Sequence, residues 1–160
     1  MTALLIRSAT RGEENVIVTL LRELAAYEKI ADRFKLTENA VERDMLGPQA
    51  SCCCDLAWFG SEAIGVMTWY RIYSSFAAAR GLFLEDLYLR PEYRGRGFGK
   101  AMLAHLARRA TSEGARYIDW FVLDWNRPSI AFYDSAGAEP VIGWQSYRLS
   151  GEALSKLSRS

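Results

Sequence analysis

The segment Arg90-Pro91-Glu92-Tyr93-Arg94-Gly95-Arg96-Gly97-Phe98-Gly99-Lys100 constrains this chain more than any other. Before it, Leu82 to Leu89 is apolar and aromatic and reads as a strand broken at Arg90-Pro91. After it, Met102, Leu103, Leu106, Ala107 and Ala110 recur at helical spacing to about Glu113, and Gly114 supplies a stop. The chain must therefore pass from strand to helix through a glycine-rich turn. Glycines permit positive φ and let a bulky anion approach the backbone. The amides and positive end of the following helix attract phosphate. Arg90, Arg94, Arg96 and Lys100 add positive charge, so a phosphorylated ligand is the first expectation.

Spacing decides between ligands. A dinucleotide fingerprint starting at Gly95 needs glycine where Lys100 stands. A Walker A loop ending in Gly99-Lys100 needs glycine at the position of Arg94 and Ser or Thr at that of Ala101. Both nucleotide motifs fail, and the pattern left is Arg94-x-x-Gly97-x-Gly99.

The rest of the chain reads as α/β. Leu4 to Arg7 is a first strand, and Ile17, Leu20, Leu21, Leu24 and Ala25 mark a helix over Glu13–Ile30. Thr37 suits the N-cap of a second helix that stops before Gly47-Pro48. Cys52–Phe59 and Ala63–Tyr73 read as hairpin strands around Gly60-Ser61-Glu62. Tyr117–Leu123 is a strand, Pro128–Ala136 a short helix closed by Gly137, and Trp144–Leu149 a last strand. The expected order is β-α-α-β-β-β-α-β-α-β, with antiparallel hairpins and one strand–helix–strand crossover. The 160 residues show no linker or repeat and suit one domain over 1–160.

Half the residues are apolar, which excludes a disordered chain. A formal net charge of +1 argues against a dedicated nucleic-acid or anionic-membrane protein. No apolar run reaches membrane-spanning length, and Arg7 cuts short the N-terminal one, so neither a span nor a secretory signal is expected. Cys52, Cys53 and Cys54 are contiguous, and the one histidine, His105, lies far along the chain. That inventory does not suit a zinc site or a disulfide framework. The cysteines read as small apolar strand residues of a reduced, cytoplasmic protein.

The Arg94-x-x-Gly97-x-Gly99 turn resembles the acyl-CoA-binding turn of the GCN5-related N-acetyltransferases (GNAT), whose amides hold the CoA pyrophosphate. Other segments fall where that family puts them. Leu84-Glu85-Asp86-Leu87-Tyr88-Leu89 feeds the turn; Trp125-Asn126-Arg127-Pro128-Ser129-Ile130-Ala131-Phe132-Tyr133 follows the next strand, and Gly137-Ala138 closes its helix. Together with Leu24-Ala25-Ala26-Tyr27-Glu28, these are most similar to the diamine (spermidine/spermine) and thialysine acetyltransferase group. The resemblance implies a GNAT-like domain: a mixed, mostly antiparallel sheet, flanked by helices and splayed at the acyl-CoA site. It also implies a homodimer, with acetyl-CoA as acyl-donor cosubstrate and no metal.

Acyl transfer to an amine needs a base for the ammonium proton, an acid for the departing thiolate and a donor for the carbonyl. With the one histidine on an expected helix, a carboxylate and a tyrosine must share this work: the resemblance makes Tyr133 the acid, and Glu85 is the candidate base, acting through water. In a regular strand Asp86 would face the other way. For the cofactor it implies backbone contacts along Leu87, Tyr88 and Leu89. Phosphate contacts would come from Arg94, Gly95, Arg96, Gly97, Phe98, Gly99 and Lys100, with Asn126, Arg127, Pro128 and Ser129 near the pantetheine. Asn126 equally suits a helix cap. Tyr27, Glu28, Glu85, Asp119, Trp120 and Phe121 match or neighbour the amine site, where carboxylates and aromatic faces suit an ammonium. Cations at Arg90, Arg94, Arg96 and Lys100 would thus face phosphates, and carboxylates would face the amine.

The match weakens at Ser75 and Ala77, where the diamine enzymes carry an acidic residue and a tryptophan, and at the uncharged Pro140-Val141-Ile142. A long polycation needs several carboxylates, so a diamine or lysine-like amino acid fits better than spermine. The competing expectations are a protein-lysine or antibiotic-amine acetyltransferase, a non-catalytic acyl-CoA-binding module, and a nucleic-acid-binding domain using Arg94 to Arg109 as a basic face.

Overall fold

The structure, a computed structural model, describes residues 3–160; Met1 and Thr2 of the N-terminal reading lie outside the described residues. Two compact units are present, one ending at Phe121 and one spanning Val122–Ser160.

The first unit is built on strands β1 (Leu4–Ser8), β2 (Cys53–Phe59), β3 (Glu62–Ser74), β4 (Ala79–Leu89) and β5 (Tyr117–Trp120). Its helices are α1 (Glu14–Tyr27), α2 (Glu38–Asp44) and α3 (Phe98–Ser112), with single 3-10 turns at Ala31–Arg33 and Pro91–Tyr93. The strands lie side by side in chain order. Each pair is antiparallel except β4 and β5, which are parallel and joined through α3, as expected for the one crossover.

Apolar spacing decides which helix covers which face. Ile17, Leu20, Leu21 and Leu24 of α1 share one side and bury against Cys54, Leu56, Val66 and Tyr88. Met102, Leu106 and Ala110 of α3, four apart, bury against Ile64, Met67, Trp69, Leu82 and Leu84 on the opposite face. Each fully buried Val, Leu, Ile or Met among them contributes about 1.5–3 kcal/mol by leaving water. Thr37 caps α2 as expected, its hydroxyl oxygen accepting from the Ala40 amide at 3.3 Å.

The second unit contains α4 (Arg127–Ser135) and α5 (Gly151–Leu157). The strand expected over Trp144–Leu149 is not formed: these residues are irregular, and α5 follows instead. A strand needs a hydrogen-bonded neighbour, and among the described residues none pairs with this segment. Gly143, at φ +91°, turns the chain just ahead of it, and Trp144 and Tyr147 stay exposed.

Candidate active site

β4 pairs with β3 over its whole length, but with β5 only from Gly81 to Leu84. From Glu85 to Leu89, no described strand occupies the edge facing away from β3. Leu87, Tyr88 and Leu89 therefore stand at an open main-chain edge leading directly into the glycine-rich turn. One carbonyl there is already engaged: Leu89 O accepts from Arg94 Nε at 2.9 Å.

In the turn, Gly95 and Gly97 hold φ of +75° and +79°, where an L side chain is strained. An added Cβ at either would meet no neighbouring atom, so the space over the backbone is open. Gly97 is the N-cap of α3 and offers no side-chain cap. Phe98, Gly99 and Lys100 form the first helical turn, whose amides have no intrahelical acceptor. Donors, an open cradle and the positive helix end fit a diphosphate. The cationic side chains divide. Arg96 lies over the Tyr93 ring at 5.4 Å, and Lys100 lies on the first turn. Arg94 is stacked over Tyr27 at 4.9 Å and near Tyr88 at 5.9 Å. Arg90, expected to face phosphate, is held by Glu23 and Glu62 at 2.8–3.0 Å, so its charge is directed to carboxylates instead.

The carboxylates are arranged by an irregularity. Thr68 pairs with Asp86 and Trp69 with Leu84, leaving Glu85 as the unmatched residue of a β-bulge. The Thr68 hydroxyl donates to Asp86 Oδ2 at 2.5 Å, and the Tyr70 hydroxyl to Glu85 Oε2 at 3.4 Å. Thr68 and Tyr70 are two positions apart on one strand and share a face. Glu85 and Asp86 therefore face the same side. The expectation that they diverge holds only for a regular strand, and the bulge removes that condition. Its sequence trace is the three-residue step from Leu84 to Leu87, both on the α3 side.

Asp86 is the more enclosed carboxylate. Burial pushes it above its ordinary range; the Thr68 hydroxyl opposes that shift and the Glu85 charge adds to it. Glu28, immediately after α1, is also pushed up, first by burial and then by the Asp86 charge, so it belongs to the same acidic group. Cys52 lies beside this group: burial, then the Asp86 charge, raises its thiol to about 11. Sequence reasoning singled out Glu28 and Glu85, but not Asp86 as their companion or Thr68 and Cys52 beside it.

Aromatic rings line the same region. Tyr70 stacks on Phe83 at 5.2 Å, and Phe121 meets Phe83 edge-on at 5.2 Å. Asp119 pairs with Phe83 in the parallel register, whereas its neighbour Trp120 packs on the α3 side of the sheet. Tyr27 packs on the α1 core beneath Arg94. A groove of about 570 Å³ lined by Ile72, Tyr73, Arg80 and Leu82 lies elsewhere, towards the start of β4.

In the second unit, Asn126 is buried and its side-chain oxygen accepts from the Ser129 amide at 3.4 Å. It caps α4, whose first residues are Arg127, Pro128 and Ser129. Tyr133 lies on the same helix, its ring tilted against Phe132 at 5.2 Å. Among the described residues no group of three or more metal-ligating side chains is gathered, and no helix is long and apolar enough to cross a membrane.

Comparison with known proteins bears on the family and the fold. A family model described as "Acetyltransferase (GNAT) family" matches residues 18–138. The thialysine N-epsilon-acetyltransferase of Sus scrofa is 36% identical, with 99% of each chain covered. The spermidine/spermine N(1)-acetyltransferase-like protein 1 of Homo sapiens is 32% identical over 93% of this chain and 23% of its own. Among solved structures, an integron cassette protein from the mobile metagenome of V. cholerae superposes with a TM-score of 0.84 at 22% identity, covering 100% of both chains.

Proposed function

The chain belongs to the GNAT acetyltransferase family, and on that premise we propose that it moves the acetyl group of acetyl-CoA to a primary amine of a small molecule. The observation that carries this reading is the bulge, which turns Glu85 and Asp86 to one face beside the open edge of β4. An acyl donor can be held along that edge, and a cationic amine beside it.

The residues fit the acyl donor. Amides of Gly95–Lys100 receive its diphosphate, with Arg96 and Lys100 adding charge, and the open edge from Glu85 to Leu89 meets its amide-bearing arm. Arg94 contributes through its backbone and through the seat its side chain gives the turn. When bound, the donor supplies an activated thioester. Asn126, Arg127, Pro128 and Ser129 are further residues we propose for the cofactor, from the resemblance of their motif.

The proton traffic falls to side chains. Asp86 and Glu28 hold the ammonium by charge, with Tyr27, Phe121 and Asp119 around it. Glu85, exposed and hydrogen-bonded to Tyr70, takes the ammonium proton through water. The freed amine attacks the carbonyl carbon, and the carbon–nitrogen bond forms as the carbon–sulfur bond breaks. Tyr133 gives its proton to the departing sulfur, and the second proton shed by the new amide nitrogen restores the Tyr133 hydroxyl. Such acid and base groups contribute about 10²–10⁴-fold each.

A diamine or a lysine-like amino acid suits the acidic group formed by Glu28, Glu85 and Asp86. The thialysine enzyme, covered end to end at 36% identity, supports this substrate class. The three unpaired thiols are consistent with a reducing cytoplasm. The exposed Val141, Ile142, Trp144 and Tyr147 are apolar surface that a homodimer contact can cover. The reading is tested by CoA release over a panel of putrescine, thialysine, ornithine, spermidine, spermine and peptidyl lysine. Short amines are expected to rank first; spermine or peptidyl lysine as clearly the best acceptor contradicts it.

A further inference from the structure

Two arginines at the start of the glycine-rich turn are spent on α1. Arg90 Nε and Nη2 donate to the two carboxylate oxygens of Glu23 at 3.0 and 2.8 Å, while its Nη1 reaches Glu62 at 3.0 Å. Four residues on, Arg94 covers the Tyr27 ring at 4.9 Å. Glu23 and Tyr27 are themselves four apart, one helical turn, and present one side of α1 to the two arginines. The Arg90 side chain is only 23% exposed, and a bidentate guanidinium–carboxylate pair fixes orientation as well as distance. Two fixed points determine both where the last turn of α1 lies and how it is rotated. The residue after Tyr27 is Glu28, whose carboxyl senses the Asp86 charge.

We propose that Arg90, with Arg94, is a positioning residue for the amine pocket: its pair with Glu23 sets the place of Glu28 opposite Asp86. Glu23 is the matching positioning residue on the helix. This inference rests on the amine pocket proposed above, and it assigns Arg90 a different task from phosphate binding. The same clamp attaches the acyl-donor turn to the amine-bearing helix end, so disturbing it misplaces one substrate relative to the other.

The test compares Glu23→Gln, Arg90→Lys and Arg90→Met in steady-state kinetics with putrescine or thialysine, alongside acetyl-CoA binding by calorimetry and a melting curve. Glu23→Gln and Arg90→Met are expected to raise the amine KM about ten- to a hundredfold, the upper end being the scale of a roughly 1 Å misplacement, with acetyl-CoA Kd within about twofold of wild type. Arg90→Lys, which keeps the charge but loses the fork, is expected to fall between. A rise in acetyl-CoA Kd on Arg90→Met without one on Glu23→Gln overturns the proposal in favour of a phosphate contact. A lowered Tm with amine KM unmoved in all variants overturns it in favour of a purely structural pair. If wild type binds acetyl-CoA but acetylates no amine in the panel, the amine-pocket reading itself falls and the positioning role falls with it.

Discussion

The Thr68 hydroxyl and the Asp86 carboxylate meet across 2.5 Å, between adjacent strands, at the one place where β3 and β4 lose register. That bond fixes which way Asp86 turns, and so makes it a companion of Glu85. Asp86→Asn keeps the shape and removes the charge. Its amine KM is expected to rise about ten- to hundredfold, the scale of a hydrogen bond to a charged group. Acetyl-CoA KM should stay near wild type. Initial rates at saturating concentrations of each partner check this, and an equal rise in both KM values argues against an ammonium contact.

The acidic group makes a pH prediction with two opposite signs. Asp86 and Glu28 are both held above their ordinary carboxylate values in the folded chain. Raised carboxyls are ionised at a cost, so that stability is recovered as pH falls from above the folded values towards the unfolded ones, about 3.9 and 4.3. Amine binding needs the charged forms and must be lost over the same descent. Apo-protein Tm and amine KM, followed between neutral pH and pH about 4, should therefore rise together, stability being gained as amine affinity is lost. Asp86→Asn should flatten the stability gain.

Elsewhere the sign reverses. Glu13 is held down to about 2, chiefly by hydrogen bonds from Arg7, and its carboxylate also accepts from the Thr10 amide at 2.7 Å. A depressed carboxyl adds stability above its unfolded value and loses it as pH falls from 4.5 towards 2. Glu13→Gln should cost about 1–3 kcal/mol at neutral pH and much less in acid. Urea melts at the two pH values measure the difference.

The strand, turn and helix around Arg90–Lys100 were legible because positive φ at Gly95 and Gly97 and the helical period after them are local properties. The same holds for the Thr37 cap and the Asn126 cap. The bulge was harder to read: its only trace is the step from Leu84 to Leu87, inside a run that otherwise suits a plain strand. The Arg90 pair joins residues 67 positions apart, and nothing local distinguishes an arginine that meets phosphate from one that meets Glu23. The Trp144–Leu149 segment has strand-like composition, but composition does not provide a pairing partner.

Gly97 tests the cradle separately from the amine. Its φ of +79° costs an L residue about 1–2 kcal/mol, and the space above it is open, so Gly97→Ala adds strain without a protein clash. Acetyl-CoA Kd is expected to rise severalfold, with a modest fall in Tm and an unchanged ranking of amines. Calorimetry with acetyl-CoA checks it, and wild-type affinity in the variant shows that the turn does not carry the diphosphate.

The most direct measurement of all is the mass of what the protein makes. Wild-type protein, acetyl-CoA and putrescine or thialysine are incubated together, and the amine is weighed by mass spectrometry while free CoA thiol is titrated. The account predicts an amine heavier by one acetyl group, formed in equal amount to the thiol released, and slowed strongly by Glu85→Gln and by Tyr133→Phe. Acetyl-CoA bound tightly with no acetylated amine, or thiol released without one, contradicts it.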